Sequence, residues 1–260
     1  MNKEKTTSQY TFQEVKPYNE KEGKTEQLVR MFDTIAMQYD KFNDLMSWGF
    51  AKLWRKRALS SLKRFRPKHI LDVAAGTADM SIKAFRFLNP DKVTGIDISP
   101  KMLEIGKEKI EHAQLSDKIE LKVMDCAQLN FDDNSFDAVT IAFGVRNFEK
   151  LEESLHQIFR VLKPGGHLLI LELNEPQKGW LMKGYQLYIK LFVHQTAKYL
   201  SSDQNAYRYL TSSMHAFPKG KEMIEILQNN GFELVEYKKF TFGVCSMYLM
   251  EKPTHSKIDG

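Results

Sequence analysis

An apolar strand that runs into a tight turn and then a helix constrains the fold of this chain more than any other feature. The unit extends from Ile70 to Asp79 (ILDVAAGTAD), with Gly76 at the tip of the turn. A strand and a helix joined by such a turn form the first part of a parallel βαβ unit, whose ligands bind at the carboxyl end of the strand. The sequence therefore predicts an open α/β sheet with a ligand site beside Gly76.

The turn departs from the fingerprint of dinucleotide-binding proteins. The three glycine positions of that fingerprint hold Ala74, Gly76 and Asp79. A carboxylate at the start of the next helix competes with a phosphate for backbone N–H groups and repels it, which disfavours NAD. Gly76 still permits close approach of a ligand, while Asp72 and Asp79 supply negative charge. The turn thus indicates a cationic ligand without phosphates, such as S-adenosylmethionine.

The second predicted strand ends in a carboxylate at the spacing of a ribose-binding residue. Its apolar run begins at Val93 and ends at Asp97, 21 residues beyond Gly76. In nucleotide-binding sheets, an acid about 20 residues after the glycine turn binds the ribose hydroxyls. Asp97 is therefore predicted to hold a ribose, with Ile98 as its neighbour in the site.

The third and fourth predicted strands extend the same edge. The run 119–124 leads to Asp125 and Cys126, which we expect beside an adenine, and the run 136–142 ends at Ala142. The carboxyl ends of parallel strands meet at one edge, so these residues predict a single nucleoside site. The alternative is that each acid only caps the helix that follows it. The recurrence of acids at three strand ends favours the site.

The order of the predicted elements is typical of a doubly wound sheet. Strands and helices alternate from 69 to 173, giving five parallel strands, and a helical insertion at 178–214 follows. A last helix then leads into a hairpin of two strands. We expect one domain over 25–252, with a seven-stranded, mostly parallel sheet and antiparallel pairing at its edge. Two N-terminal helices, joined by a turn at 39–49, precede the sheet.

Composition allows one large domain in a reducing compartment. Of the 260 residues, 42% are hydrophobic and 12% aromatic, which suffices for a full core. Cys126 and Cys245 lie in apolar runs and give no disulfide framework. Residues 1–24 contain no apolar signal core. We therefore expect a cytoplasmic protein with a flexible N-terminus at 1–24 and a flexible tail at 253–260.

The basic residues are concentrated in one segment of a chain whose net charge is +5. From Gly49 to Lys68 there are eight basic residues and no acid, and apolar positions recur at helical spacing. The favoured interpretation is a solvated helix packed on the sheet. The alternative is contact with anionic lipid headgroups. Nucleic acid is disfavoured because interleaved stacking aromatics are missing.

The segment from Lys178 to Leu200 is apolar and rich in aromatic residues. Charged residues interrupt it, so it does not predict a membrane-spanning helix. Covering an apolar pocket and packing on the sheet are equally consistent with its composition.

Three further motifs lie around the predicted site. They occupy 39–47 (YDKFNDLMS), 141–147 (IAFGVRN) and 160–166 (RVLKPGG). The third is common to many methyltransferases, whereas the first two together are highly specific. Through them the chain, from about Met31 to Lys252, resembles the UbiE/MenG family of quinone C-methyltransferases.

This resemblance implies the class I methyltransferase fold and S-adenosylmethionine as cofactor, with S-adenosylhomocysteine as product. The implied reaction is methyl transfer to a ring carbon of demethylmenaquinol, the last step of menaquinone biosynthesis. A ubiquinone precursor or another small aromatic acceptor is the alternative. The implied location is the cytoplasm, with peripheral contact at the inner face of the cytoplasmic membrane. The oligomeric state stays open, a homodimer included, and no metal site is predicted.

Matching positions carry the family's cofactor contacts over to this chain. They are Thr77, Asp97, Asp125 and Cys126. The chain departs from many members at Ala78, Ala142 and Ala51, where they have Gly, Ser and His. The missing hydroxyl at Ala142 is expected to weaken cofactor binding without abolishing it. The rival function class is a nucleotide-binding scaffold without enzymatic activity. The acidic strand ends argue against it, because a scaffold has no need of them.

Methylation of an aromatic carbon requires a deprotonated phenol and a group that stabilises the phenolate. Arg146 is the predicted stabilising group, with Asn147 as a neutral partner. The structural alternative is an ion pair between Arg146 and Glu172 or Glu149.

The base and the substrate contacts are predicted from family-like segments. His215 has the most suitable unperturbed pKa for a base, with Tyr207 and Asp40 as alternatives. The segment 205–210 (NAYRYL), followed by 215–218 (HAFP), resembles the substrate lid of the family. Predicted substrate contacts are Tyr39, Asn43, Tyr207 and Arg208.

Overall fold

Seven strands form the sheet that organises the residues described by the computed structural model, which are 10–174 and 204–254. The strands are β1 (His69–Val73), β2 (Lys92–Asp97), β3 (Ile119–Val123), β4 (Phe136–Ala142), β5 (Leu162–Leu173), β6 (Glu233–Phe240) and β7 (Cys245–Glu251). Their order is β3-β2-β1-β4-β5-β7-β6. The first five strands pair in parallel, and β7 is antiparallel to both β5 and β6. The predicted sheet, with antiparallel pairing at this edge, is confirmed.

Helices cover both faces of the sheet. They are α1 (Thr11–Glu14), α2 (Lys24–Met46), α3 (Phe50–Leu62), α4 (Asp79–Leu88), α5 (Pro100–His112), α6 (Leu151–Val161), α7 (Gln204–Ala216) and α8 (Lys221–Asn229). Side chains alternate along β5, so that Leu168 and Ile170 join the core beneath α6 and α8. Leu169 and Leu171 join the core beneath α3 and α4. Burial on both faces explains the continuous apolar runs of these strands.

The N-terminal helices differ from the sequence prediction. Helix α2 continues through the predicted turn at 39–49 and ends at Met46, because tertiary packing outweighs the turn-forming composition of that motif. Residues 10–24, part of the segment predicted to be flexible, pack against the rest of the described domain. Phe12 and Lys24 are fully buried, and the Phe12 ring packs edge-on against Phe217 at 5.2 Å.

The basic segment forms α3 and packs on the sheet, as the favoured interpretation predicts. Trp54, Ala58 and Leu62 are buried there, but so is the basic residue Arg55. No described helix combines the length and apolarity that a membrane crossing requires. The segment from Lys178 to Leu200 lies outside the described residues.

Candidate active site

A cavity of about 300 Å³ lies at the carboxyl ends of β1, β2, β3 and β4. Each strand contributes to its wall where the chain leaves the sheet. The lining includes six predicted cofactor positions: Gly76, Asp97, Ile98, Asp125, Cys126 and Ala142. The structure thus brings the ends of these four strands together around one cavity.

The turn after β1 has an unusual backbone. Ala74, Gly76 and Ala78 have φ angles of 55°, 54° and 63°, a region that glycine adopts freely and alanine only at a cost of roughly 1–2 kcal/mol. A Cβ on Gly144 would clash with the Cβ of Ala74. Glycine at 144 thus makes room for the strained turn, which opens directly onto the cavity.

Asp97 connects the turn to the second strand. Its Oδ2 accepts a hydrogen bond from the backbone N–H of Gly76 at 2.8 Å, and its Oδ1 accepts one from Ser99 at 2.9 Å. Burial raises the pKa of this carboxyl group. The Ile98 backbone N–H also hydrogen-bonds to this carboxylate, so three backbone donors hold it in place. Asp97 lines the cavity and keeps acceptor capacity for a hydroxyl group that enters it.

The far end of the cavity is formed by residues after β3 and β4. Asp125 Oδ1 accepts a hydrogen bond from the backbone of Ala127 at 2.9 Å. The Cys126 thiol is buried, and burial raises its pKa, so it forms an apolar wall. Met124 and Phe148 complete that wall. This end suits a flat ring whose polar edge reaches Asp125.

Two predicted cofactor residues lie behind the cavity and do not line it. Asp72 accepts hydrogen bonds from Ser81 at 2.5 Å and from Thr140 at 2.7 Å, and burial raises its pKa to about 6. Thr77 is also buried and donates its hydroxyl hydrogen bond to Asp40 at 2.6 Å. Both residues brace the turn from within, and their contact with the cofactor stays a prediction.

Asp79 is neutralised by neighbouring cations. Lys109 donates a short hydrogen bond to its carboxylate, and Arg55 lies 3.7 Å away. Burial alone would raise the pKa of Asp79, yet Arg55 and Lys109 lower it below its ordinary value. Its negative charge therefore faces these cations, contrary to the prediction that it serves the ligand.

Helix α2 closes one side of the cavity with Phe32 and Tyr39. Its N-terminus is capped by Glu149, which accepts hydrogen bonds from the Lys24 and Thr25 backbone N–H groups at 3.0 and 2.9 Å. The Thr25 hydroxyl donates to the same carboxylate at 2.6 Å. Sequence reasoning missed this wall because Glu149 is more than 120 positions away in the chain.

Two more carboxylates fasten the middle of α2. Asp33 accepts a hydrogen bond from the Ser99 hydroxyl at 2.6 Å, and Asp40 accepts one from Lys109 at 2.9 Å. Asp40 does not reach the cavity lining, which argues against its alternative role as a base. The fastening instead holds Tyr39 in place, and burial raises the pKa of Tyr39. Tyr39 therefore keeps its proton at neutral pH and can donate a hydrogen bond.

Arg146 adopts the arrangement foreseen as the structural alternative. It is 6% exposed and donates hydrogen bonds to Glu172 at 2.5 Å and to the Phe143 carbonyl at 2.7 Å. Glu172 is fully buried, so the pair is a desolvated ion pair. Arg146 is not part of the cavity lining. Its geometry fits a residue that fixes the 143–147 turn.

Asn147 follows Arg146 and does line the cavity. Its Oδ1 accepts a hydrogen bond from the Tyr209 hydroxyl at 3.1 Å. Tyr209 is 3% exposed, and burial raises its pKa. Tyr209 belongs to the motif 205–210 that the sequence analysis singled out. Arg208 was predicted to contact the substrate, but the helix turns Tyr209 inward and Arg208 outward.

The other predicted substrate and base residues are dispersed. His215 and Arg208 are exposed on α7 and do not line the cavity, because the buried face of that helix carries Tyr209 and Met214. Asn43 hydrogen-bonds to Tyr39 and so supports it. The side chain of Tyr207 lies outside the described part of the structure. The structure therefore does not bring His215 and Arg208 together with the described cavity lining, and their roles stay predictions.

Sequence comparison finds close relatives of known activity. The model of the ubiE/COQ5 methyltransferase family matches residues 20–252. A demethylmenaquinone methyltransferase of Bacteroides fragilis is 43% identical over 243 residues, covering 94% of this chain and 99% of that protein. The ubiquinone/menaquinone biosynthesis C-methyltransferase UbiE of Pseudomonas fluorescens is 34% identical over 231 residues, covering 88% of this chain and 90% of that protein.

Structural comparison identifies the fold. The crystal structure of a candidate S-adenosylmethionine-dependent methyltransferase from Methanococcus maripaludis superposes with a TM-score of 0.61. The identity is 19%, and the match covers 86% of this chain and 94% of that one. The expected class I methyltransferase fold is confirmed.

Proposed function

The chain belongs to the ubiE/COQ5 methyltransferase family, and from this we propose that it transfers a methyl group from S-adenosylmethionine to a ring carbon of demethylmenaquinol, giving menaquinol. The observation that carries the choice of acceptor is the 43% identity to a demethylmenaquinone methyltransferase along nearly the whole chain. The cavity at the strand ends supports the choice of methyl donor.

The residues of the cavity fit S-adenosylmethionine. Asp97 offers acceptor capacity for the ribose hydroxyls, and Asp125 offers an acceptor for the adenine amino group. Gly76, with its left-handed backbone, leaves room for close approach. When bound, S-adenosylmethionine supplies an electrophilic methyl group. The chain's own contribution is to hold the acceptor carbon in line with that methyl group, an effect that reaches about 7–11 kcal/mol in the best intramolecular models.

The acceptor side of the cavity carries neutral hydrogen-bond donors. Tyr39 stays protonated, and the Tyr209 hydroxyl occupies Oδ1 of Asn147, so the Asn147 amide nitrogen is left to donate. Such donors stabilise the phenolate oxygen as the quinol hydroxyl gives up its proton to water, and a stabilised phenolate makes the ring carbon nucleophilic. The ring proton that the methyl group replaces also leaves to water, which restores the aromatic ring. We assign the stabilising role to Tyr39 and Asn147. Arg146 is a positioning residue that acts through the 143–147 turn.

The experiment is methylation by the purified chain, followed by mass spectrometry of the quinol. S-adenosylmethionine and a demethylmenaquinol should yield a product heavier by one methylene unit. The relative from Pseudomonas fluorescens is named for both quinone pathways, so a ubiquinone precursor is the second acceptor to assay. The proposal is contradicted if S-adenosylhomocysteine stabilises the chain against heat, which shows that the cofactor site is intact, and yet neither acceptor is methylated.

We propose further that the protein is cytoplasmic and meets its acceptor at the inner face of the cytoplasmic membrane. A polyprenyl quinol resides in the lipid phase, and the basic segment around α3 supports contact with anionic lipid. The homodimer stays a prediction, which sedimentation velocity tests directly.

A further inference from the structure

Four large apolar side chains are exposed around the start of α3. Trp48 and Phe242 are 68% and 76% exposed, and Phe50 and Leu53 are 43% and 38% exposed. Phe242 belongs to the turn between β6 and β7. That turn lies beside α3 because Thr241 Oγ1 accepts a hydrogen bond from the Trp54 indole N–H at 2.8 Å. Exposed apolar groups collected in this way indicate an interaction site.

The two most exposed aromatic residues also have a strained backbone. Trp48 has a φ of 49° and Phe242 a φ of 56°. Bulky side chains adopt this left-handed region only rarely, whereas glycine and asparagine tolerate it. Phe242 belongs to none of the core clusters of the described residues, so core packing does not explain an aromatic residue at that position. An outlier of this kind at the surface points to function.

Lysines surround the exposed aromatic residues. Lys52 and Lys56 are exposed on α3, and Lys83 of α4 donates a hydrogen bond to the Lys52 carbonyl at 3.3 Å. Burial and the nearby cations Arg55, Lys52 and Lys56 lower the pKa of Lys83. The acids close to this group are Asp44, which pairs with Lys52, and Asp79, which pairs with Arg55 and Lys109. The patch therefore combines a surplus of positive charge with aromatic side chains.

This patch adjoins the wall of the cavity. Phe143 lines the cavity, and the Trp54 ring packs edge-on against it at 6.4 Å. Phe50 in turn stacks on Trp54 at 6.1 Å. Two aromatic contacts thus connect the exposed patch to the place where an acceptor ring would be bound.

We propose that this docking face, defined by Trp48, Phe50, Leu53, Phe242, Lys52, Lys56 and Lys83, binds the surface of an anionic lipid bilayer. Lysine-rich surfaces with exposed aromatic residues are typical of proteins that lie at the bilayer interface. The aromatic rings enter the headgroup region, and the lysines neutralise acidic lipids. The inference deepens the proposed function, on which it rests for the lipid-borne acceptor.

The test is co-sedimentation of the full chain with vesicles of phosphatidylcholine, with and without phosphatidylglycerol. Binding is expected only with phosphatidylglycerol and should weaken as salt is added. Replacing Lys52, Lys56 and Lys83 by Gln should reduce binding about 100-fold, at roughly fivefold for each lysine near an anionic surface. The matched control replaces three exposed lysines outside the face: Lys101, Lys107 and Lys118. Equal loss in both triple variants would overturn the proposal.

Each of two aromatic substitutions should raise thermal stability and weaken vesicle binding. Trp48→Asn and Phe242→Asn place a residue that tolerates the left-handed backbone, so the melting temperature should rise. Vesicle binding should fall about tenfold for each, since buried apolar area is lost. A misfolded variant cannot give this combination. Unchanged vesicle binding in both variants overturns the proposal, and self-association lost with the rings would assign the face to a second copy of the chain.

A soluble acceptor separates this proposal from the proposed function. Methylation of a short-chain quinol in vesicle-free solution should be equal in the wild type and the lysine variant. Methylation of a vesicle-borne polyprenyl quinol should fall only in the variant. If the wild type methylates neither acceptor yet binds the anionic vesicles, the proposed function fails while the docking face stands.

Discussion

The two sides of the cavity, which we assign to the methyl donor (the donor side) and to the acceptor (the acceptor side), are built in different ways. The donor side consists of strand ends that follow each other at regular spacing, from Gly76 to Asp97 to Asp125. The acceptor side consists of Tyr39 from α2, Asn147 from a turn and, behind it, Tyr209 from α7. One side therefore rests on the sheet, and the other rests on long-range contacts between helices and turns. Substitutions should affect the two sides differently.

The largest effect is expected at the buried ion pair behind the acceptor side. Arg146→Ala leaves Glu172 charged and fully buried, which should destabilise the protein by about 3–5 kcal/mol. Denaturant unfolding measures this. Turnover should fall much more than affinity for S-adenosylmethionine, because the donor side rests on the sheet.

The double variant Arg146→Met with Glu172→Gln is the control for that experiment. It removes both charges together and should recover most of the lost stability. Equal losses of turnover and cofactor affinity in Arg146→Ala would show that the two sides are not independent.

A pH-dependent effect is expected from Asp72, which braces the donor side. Its pKa is about 6 in the folded protein against 3.8 for the free group. Because the folded state binds the proton more tightly, this group favours folding below about pH 4, and that contribution is lost as the pH rises to 6. The loss amounts to about 3 kcal/mol.

Asp72→Asn removes the buried charge and should flatten this dependence. Its free energy of unfolding at pH 7 should therefore be higher than that of the wild type. Urea unfolding at pH 4 and pH 7 compares the two proteins. The assignment is contradicted if, between pH 4 and pH 7, the free energy of unfolding of the wild type rises relative to that of Asp72→Asn.

Asp97 tests the donor side directly. Asp97→Asn replaces a charged acceptor and turns an amide N–H toward existing donors, so affinity for S-adenosylmethionine should fall about 30-fold, or roughly 2 kcal/mol. Calorimetric titration measures the change. Asp117→Asn, at an exposed acid outside the cavity, is the matched control and should bind normally. If Asp97→Asn bound S-adenosylmethionine as tightly as the wild type, Asp97 would not be the ribose contact.

The smallest effect is expected at the strained turn. Ala74→Gly relieves a left-handed alanine but adds entropy to the unfolded chain, for a net gain of about 0.5 kcal/mol. The melting temperature should rise by about 1–2 °C. Ala75→Gly, at a neighbouring residue without a positive φ, should lower it. A loss of stability in Ala74→Gly would show that the turn is not strained.

The comparison also explains how far the sequence could predict the site. Strand ends meet at one edge of a parallel sheet whatever the rest of the chain does, so Asp97 and Asp125 followed from spacing alone. The acceptor side depends on which face of a helix turns inward. His215 and Arg208 were chosen by residue type and motif, whereas the phase of α7 selects Tyr209.

Long-range contacts set the other limit of prediction. The polar composition of residues 1–24 suggested flexibility, but Phe12 packs against Phe217 from the opposite end of the chain. Asp72 has the right position in the sequence for a ligand contact, yet Ser81 and Thr140 draw it inward. Such pairings leave no pattern in the local sequence.

The most direct test of the central claim uses S-adenosylmethionine with an isotopically labelled methyl group. The purified chain, supplied with demethylmenaquinol, should yield menaquinol that carries the label on a ring carbon. The same reaction with Asp97→Asn should yield far less product at limiting methyl donor. Unlabelled demethylmenaquinol recovered from a wild-type protein that binds S-adenosylhomocysteine would contradict the account.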